Sequence, residues 1–285
     1  MDEQPSDNWP FRFNKPAAPD PEQVRHSWQA IYYGIADRTV HRRRKRLMAM
    51  TVYSVILLLL GYGIWTWQFA WQERRTNYGN IERVTLPDGS VVVLSAHSSL
   101  RYPPRWNSSS REVWLSGEAY FEVTHTKSDS RFIVHSNDLR IEVLGTKFNV
   151  NNRTEKASIA LNEGKVQLSS KELLSLHKQP IVMAPGDVVE IKGRDYSIKH
   201  QQHVERFSNW TNHSFHFNGT SMAEVAVFIQ RYYGMEMQFA DPSLQQLSLS
   251  GDLKIRDINQ FLQTMEVALH IKTEVKDQVI FVYKQ

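Results

Sequence analysis

Leu47 to Trp67 is a run of 21 residues without one charged side chain. As a helix rising about 1.5 Å per residue it reaches roughly 31 Å, the thickness of a bilayer's hydrocarbon core. The run starts too far into the chain, is too long and lacks a small-residue cleavage site, so it does not read as a signal peptide. It reads as a transmembrane helix, expected over residues 47–69. Arg42, Arg43, Arg44, Lys45 and Arg46 stand directly before it, whereas Glu73, Arg74 and Arg75 after it are fewer and of mixed sign. Basic flanks stay on the cytoplasmic side, which places residues 1–46 inside and the rest outside. Trp65, Trp67, Phe69 and Trp71 gather at the far end, where amphipathic rings favour the headgroup layer.

Residues 1–46 hold nine basic and six acidic groups, so +3 of the chain's net +4 lies there and only +1 remains for residues 47–285. The basic run beside the span is explained by topology, and no direct contact with nucleic acid is expected. Zero cysteines among 285 residues exclude disulfides, thiol nucleophiles and Cys-ligated metals. Within the inner segment, Pro5, Pro10, Pro16, Pro19 and Pro21 predict an extended tail. From Pro21, with Asp20 as N-cap, Val24, Trp28, Ile31 and Ile35 recur at i, i+4, i+7 and i+11, and Tyr32 widens the stripe. A helix this short needs its apolar face covered, and periodicity leaves a protein partner and membrane lipid equally open.

From residue 80 the pattern changes to short β-branched and aromatic runs between turn residues such as Pro87-Asp88-Gly89, Glu163-Gly164 and Pro185-Gly186-Asp187. At least ten strands are expected, with Glu112–Leu115 and Tyr120–Val123 flanking Gly117, giving an all-β domain (sandwich, barrel or solenoid) over 80–200. Residues 70–79 read as a juxtamembrane linker and 201–212 as a second linker. Residues 213–285 read as a small α+β domain. Its first helix starts at the capping box Ser221–Glu224 and stops at Gly234; its second carries Ile258, Phe261, Leu262, Met265 and Leu269. Such a domain exposes an edge strand, and edges accept partners by strand addition.

Catalytic motifs are missing: no HExxH, GxSxG or phosphate-binding loop occurs, so no enzyme, cofactor or metal is expected. His200 and His203, and likewise His213 and His216, lack a third ligand at defined spacing and read as solvated polar residues. Five glycosylation sequons follow the span, yet the lack of cysteine weighs against a eukaryotic glycoprotein.

Six motifs in order, Leu86–Ser90 (LPDGS), Val93–Leu100 (VLSAHSSL), Tyr102-Pro103, Arg111–Val123 (REVWLSGEAYFEV), Val143–Val150 (VLGTKFNV) and Asn162–Val166 (NEGKV), resemble the FecR family of transmembrane anti-sigma factors over about 100 residues. From Phe215 to the end the chain resembles the secretin and TonB short N-terminal-like domain. The resemblance implies a single-pass protein of a Gram-negative inner membrane, its amino terminus in the cytoplasm and its carboxyl terminus in the periplasm. The inner segment would bind an extracytoplasmic-function sigma factor, Trp28 matching the family's aromatic position there, with Val24, Ile31, Tyr32 and Ile35 beside it. The outer part would sense the signalling domain of a TonB-dependent outer-membrane receptor, with periplasmic and intramembrane proteases releasing the sigma factor. Some members cut themselves at the bond matching Gly145-Thr146. The competing and preferred reading is that Gly145 permits close packing and Thr146 is an ordinary strand residue. A membrane-anchored periplasmic scaffold is the alternative function.

Overall fold

Asp20 opens the first element by capping it: its Oδ1 accepts the Glu22 N–H at 3.0 Å and its carbonyl accepts the Val24 N–H at 3.0 Å. The helix α1 (Pro21–Gln68) then runs unbroken through the stretches read as a cytoplasmic and a transmembrane helix. Arg44–Gly63, 20 residues, is long and apolar enough to cross a membrane. The computed structural model describes residues 17–68, 71–106, 110–153, 156–170, 174–175, 179–193 and 195–285, the side chains of 35–43, 64–68 and 110 excepted. The tail through Pro16 and the side chains of Ile35, Arg42, Arg43, Trp65, Trp67 and Phe69 therefore lie outside the described residues. The chain forms two units, Met1–Trp67 and Gln68–Gln285.

The second unit begins with thirteen strands: β1 (Gln72–Arg75), β2 (Glu82–Thr85), β3 (Val91–Leu94), β4 (Ser99–Tyr102), β5 (Ser110–Glu122), β6 (Arg131–Ser136), β7 (Leu139–Val143), β8 (Lys147–Asn152), β9 (Lys156–Glu163), β10 (Val166–Ser170), β11 (Ile181–Met183), β12 (Asp187–Lys192) and β13 (Asp195–His200). They make one sheet of order β11-β10-β7-β6-β5-β8-β9-β12-β13, with β1 on β4, β2 on β3, and both β3 and β4 on β5. Sequence places two strands around Gly117, but the structure has one, 13 residues long. Its first half pairs with β4 and β6, its second with β3 and β8, so β5 belongs to both halves of a sheet that folds over on itself. Gly117 sits at the changeover with φ +101°, and a Cβ there would lie 2.5 Å from Ser98 Oγ and 2.9 Å from Ser98 Cα. Only glycine fits that geometry. Alternation survives the bend: Val113, Leu115, Ala119 and Phe121 all point into one core with Leu94, Phe132 and Phe148.

β1 is the other departure. Residues 70–79 read as linker because Gln72-Glu73-Arg74-Arg75 shows no apolar alternation, and all four are exposed. Main-chain pairing with β4 makes it a strand nonetheless.

The last lobe comprises β14 (Ser214–Ser221), α2 (Met222–Tyr233), β15 (Glu236–Phe239), β16 (Ser248–Lys254), α3 (Ile258–Leu269), β17 (Ile271–Lys276) and β18 (Val279–Lys284). The predicted capping box is present, with Ser221 Oγ accepting the Glu224 N–H and Glu224 Oε2 accepting the Ser221 N–H, and Gly234 ends α2 with φ +71°. Two sheets form, β14-β16 and β15-β18-β17, around a core with Val225, Ile229, Phe261 and Met265. The stretch read as a linker forms two 3-10 turns, Val204–Phe207 and Asn209–Asn212. Val204 packs on Ala160 and Val188 of the β lobe, and Trp210 is buried. The spaced apolar residues Val204, Phe207 and Trp210 of a mostly polar stretch thus glue it down.

Candidate functional site

On α1 the predicted stripe is solvent-facing: Trp28 is 66% exposed, Ile31 51% and Tyr32 72%, with Val24 half-buried. Tyr33 stands beside Tyr32, rings edge-on at 6.3 Å. Fixed helical spacing brings Val24, Trp28 and Ile31 onto one face.

Gly145 and Thr146 occupy the bend between β7 and β8, not the strand itself. A Cβ on Gly145 would meet His125 Cβ at 2.6 Å and Cα at 3.0 Å. The buried Thr146 exchanges backbone hydrogen bonds with Val123, and its hydroxyl donates to the Lys165 carbonyl at 3.1 Å. Gly164, φ +90°, turns so tightly over this bond that a Cβ would lie 2.7 Å from the Gly145 oxygen. Both residues are thus closely packed in this bend.

The four histidines are likewise placed. His200 Nδ1 lies 3.1 Å from Asp187 Oδ1, and His216 Nδ1 lies 2.8 Å from Asp252 Oδ1. His203 is exposed, and His213, at φ 59°, ends the second 3-10 turn. Burial together with Arg256 and Lys254 holds the His213 pKa below its ordinary value. Trp71 packs edge-on against Trp114 at 4.7 Å, with Arg101 over its ring at 4.9 Å.

Sequence reasoning missed the seam joining the β lobe to the C-terminal lobe. Glu118 of β5 is largely buried, its Oε1 accepting from Asn149 Nδ2 at 3.2 Å, and Asn149 Oδ1 in turn accepts from Trp210 Nε1 at 3.2 Å. The Arg153 guanidinium lies 3.6 Å from Glu118 Oε2 and donates to the carbonyls of Ala96 and, at 3.2 Å, Arg231 of α2. Burial raises the Glu118 pKa against the pull of Arg153. Farther along, the Gly79 N–H donates to the Tyr232 carbonyl at 2.7 Å, and Tyr78, stacked on His97 at 4.2 Å, fills the space a side chain at Gly234 would need. The stretch following β1 is thus clamped to the C-terminal end of α2. Glu118 is one of three glutamates in Arg111–Val123, and nothing in the sequence marks it from Glu112 and Glu122.

Beside this seam a groove of about 720 Å³ opens between the lobes. Glu118, Asn151 and Arg153 line one side; β14, Phe228 and Tyr232 line the other.

The sequence matches the FecR protein family over residues 72–167 and the FecR C-terminal family over 214–282, together more than half of the chain. Two crystal structures of a candidate anti-sigma factor from Parabacteroides distasonis are similar, each 25% identical. Their TM-scores are 0.61 and 0.60; the matches cover 76% and 75% of this chain and 100% and 99% of those chains. No curated protein matches the sequence.

Proposed function

The chain belongs to the FecR family, and from that premise we propose that it is a transmembrane anti-sigma factor. The observation that carries this reading is the exposed Trp28, Ile31 and Tyr32 on α1, an apolar face that gains by being covered. An extracytoplasmic-function sigma factor covers it, with Val24 and Ile35 completing the contact. The basic run Arg42–Arg46 keeps this segment in the cytoplasm of a Gram-negative cell and leaves the two outer lobes in the periplasm. There they respond to the signalling domain of a TonB-dependent outer-membrane receptor, and proteolysis in and near the membrane releases the sigma factor. The mechanism is transmission rather than catalysis.

The test uses the full-length protein in nanodiscs, titrated with purified extracytoplasmic-function sigma factors of the same cell. One of them should bind, and Trp28→Ala should weaken it about 30-fold, the equivalent of about 2 kcal/mol for a buried aromatic anchor. Binding unchanged by Trp28→Ala moves the contact to another face. Absence of binding by every sigma factor leaves a membrane-anchored periplasmic binding or scaffolding protein as the better reading.

A further inference from the structure

We propose that the groove between the two outer lobes seats an extended, acidic segment of a partner protein as an added strand on β14. This rests on the reading above only in assuming that a partner engages the outer lobes.

Three observations carry it. β14 pairs with β16 on one side, and among the described residues no strand occupies its other side. Five consecutive residues, Ser214 to Asn218, line the groove. Side chains alternate along a strand, so five in a row means that the groove meets β14 along its edge, over about 17 Å of backbone. An open edge of that length offers the N–H and C=O groups that point away from β16 to an incoming strand, the Asn218 N–H excepted, which donates to Thr220 Oγ1 at 3.3 Å.

The second observation is chemical. Among the residues that line the groove, Arg153 Nε and the Tyr232 hydroxyl are buried donors that find no acceptor among the described residues. Tyr232 is only 3% exposed. Buried donors left unmatched are costly, and a small rotation of either side chain toward a carbonyl or carboxylate oxygen seated in the groove would relieve that cost.

Charge decides the sign of the partner. Arg153, Arg206 and Arg231 line the groove with Glu118 and Glu224. Glu118 is engaged by Arg153 and Asn149, and Glu224 caps α2. The exposed Arg206 and Arg231 therefore set the field at the rim, and an acidic segment complements them. Phe228 and the exposed Val227 of α2 supply the apolar wall for its inward side chains.

The probe is a phage-displayed library of random linear dodecapeptides, selected on the full-length protein in nanodiscs with counter-selection on empty nanodiscs. Acidic peptides should be enriched. Arg206→Glu combined with Arg231→Glu, both at exposed positions, should weaken them at least tenfold, while Val267→Asp, exposed on α3 and outside the groove, should not. N-methylation at alternate peptide residues should abolish binding in one register and spare it in the other, as pairing along a single edge requires. Selected peptides with no acidic bias, or none that the double charge reversal weakens, would overturn the proposal. So would a protein dimer that the same reversal dissolves, which assigns the groove to a second copy. Sigma-factor affinity measured on the same preparations separates a failed groove from a failed anti-sigma reading.

Discussion

Arg111 shows what a single motif residue does in this fold. Its guanidinium is 3% exposed and donates to Asp88 Oδ2 at 2.6 Å and to the carbonyls of Thr124, Ser130 and Leu144 at 2.9, 2.6 and 3.1 Å, tying four chain segments together. Asp88 also accepts the N–H and hydroxyl of Ser90, so the turn Pro87-Asp88-Gly89-Ser90 doubles as the counter-charge. Asp88→Asn leaves a buried cation without its anion and should cost about 3–5 kcal/mol, read as a lower urea midpoint for the outer unit. Glu118 makes a pH prediction. Burial raises its pKa above 4.5, so the fold favours the protonated form. Its contribution is therefore complete below the unfolded pKa and is lost as pH rises through the higher folded value. Glu118→Gln can still accept from Asn149 and should flatten the stability profile on the alkaline side of pH 4.5; a slope equal to that of the unmodified protein would refute this. At Thr146, loss of the hydroxyl bond to Lys165 in Thr146→Ala should cost about 1 kcal/mol, and the full-length protein should remain one band through long incubation.

At the scale of elements, local rules performed well wherever an element is specified by its own residues. The Asp20 cap, the Ser221–Glu224 box, the Gly234 stop and most strands of the β lobe follow from turn chemistry and periodicity. They failed at β1, β5 and the two 3-10 turns, where pairing or packing across the chain decides. Nothing in Gln72–Arg75 marks a strand until β4 lies beside it. Gly117 reads locally as a break, but the neighbours of β5 on both sides carry the strand through it. Gly117→Val should therefore destabilise by about 3 kcal/mol or more, through strain at positive φ and collision with Ser98. A large loss of soluble outer unit and a lowered melting temperature would report it. Little change would mean that β5 is two strands after all.

Over the whole molecule, the arrangement of the second unit, Gln68–Gln285, makes a mechanical prediction. Tyr78 and Gly79 follow the first strand after the span and are held by the end of α2. Gly234→Val places a side chain where Tyr78 lies, 2.7 Å from its ring for the Cβ, and forces a residue of φ +71° to accept strain. Amide exchange across Asn77–Asn80 should accelerate while β8 and β9 stay protected. Equal exchange in both proteins would mean that the clamp contributes no local order. A partner that engages β14 would act on the same lobe that holds this segment, which links β14 to the residues just after β1.

Sequence by itself determined the one described helix long and apolar enough to cross a membrane, its flanking charge, the helix with its apolar stripe, and the order of most strands and helices. These depend on run length, alternation and turn residues within a few positions of one another. Tertiary structure alone decided the Asp88–Arg111 pair, 23 residues apart, the Trp210–Asn149 contact at 61 and the Arg153–Arg231 contact at 78. Such contacts exist only once a sheet has chosen its register and folded over. No local pattern encodes which distant strand will bring a given arginine to a given carbonyl, and so the seam and the groove became visible only in three dimensions.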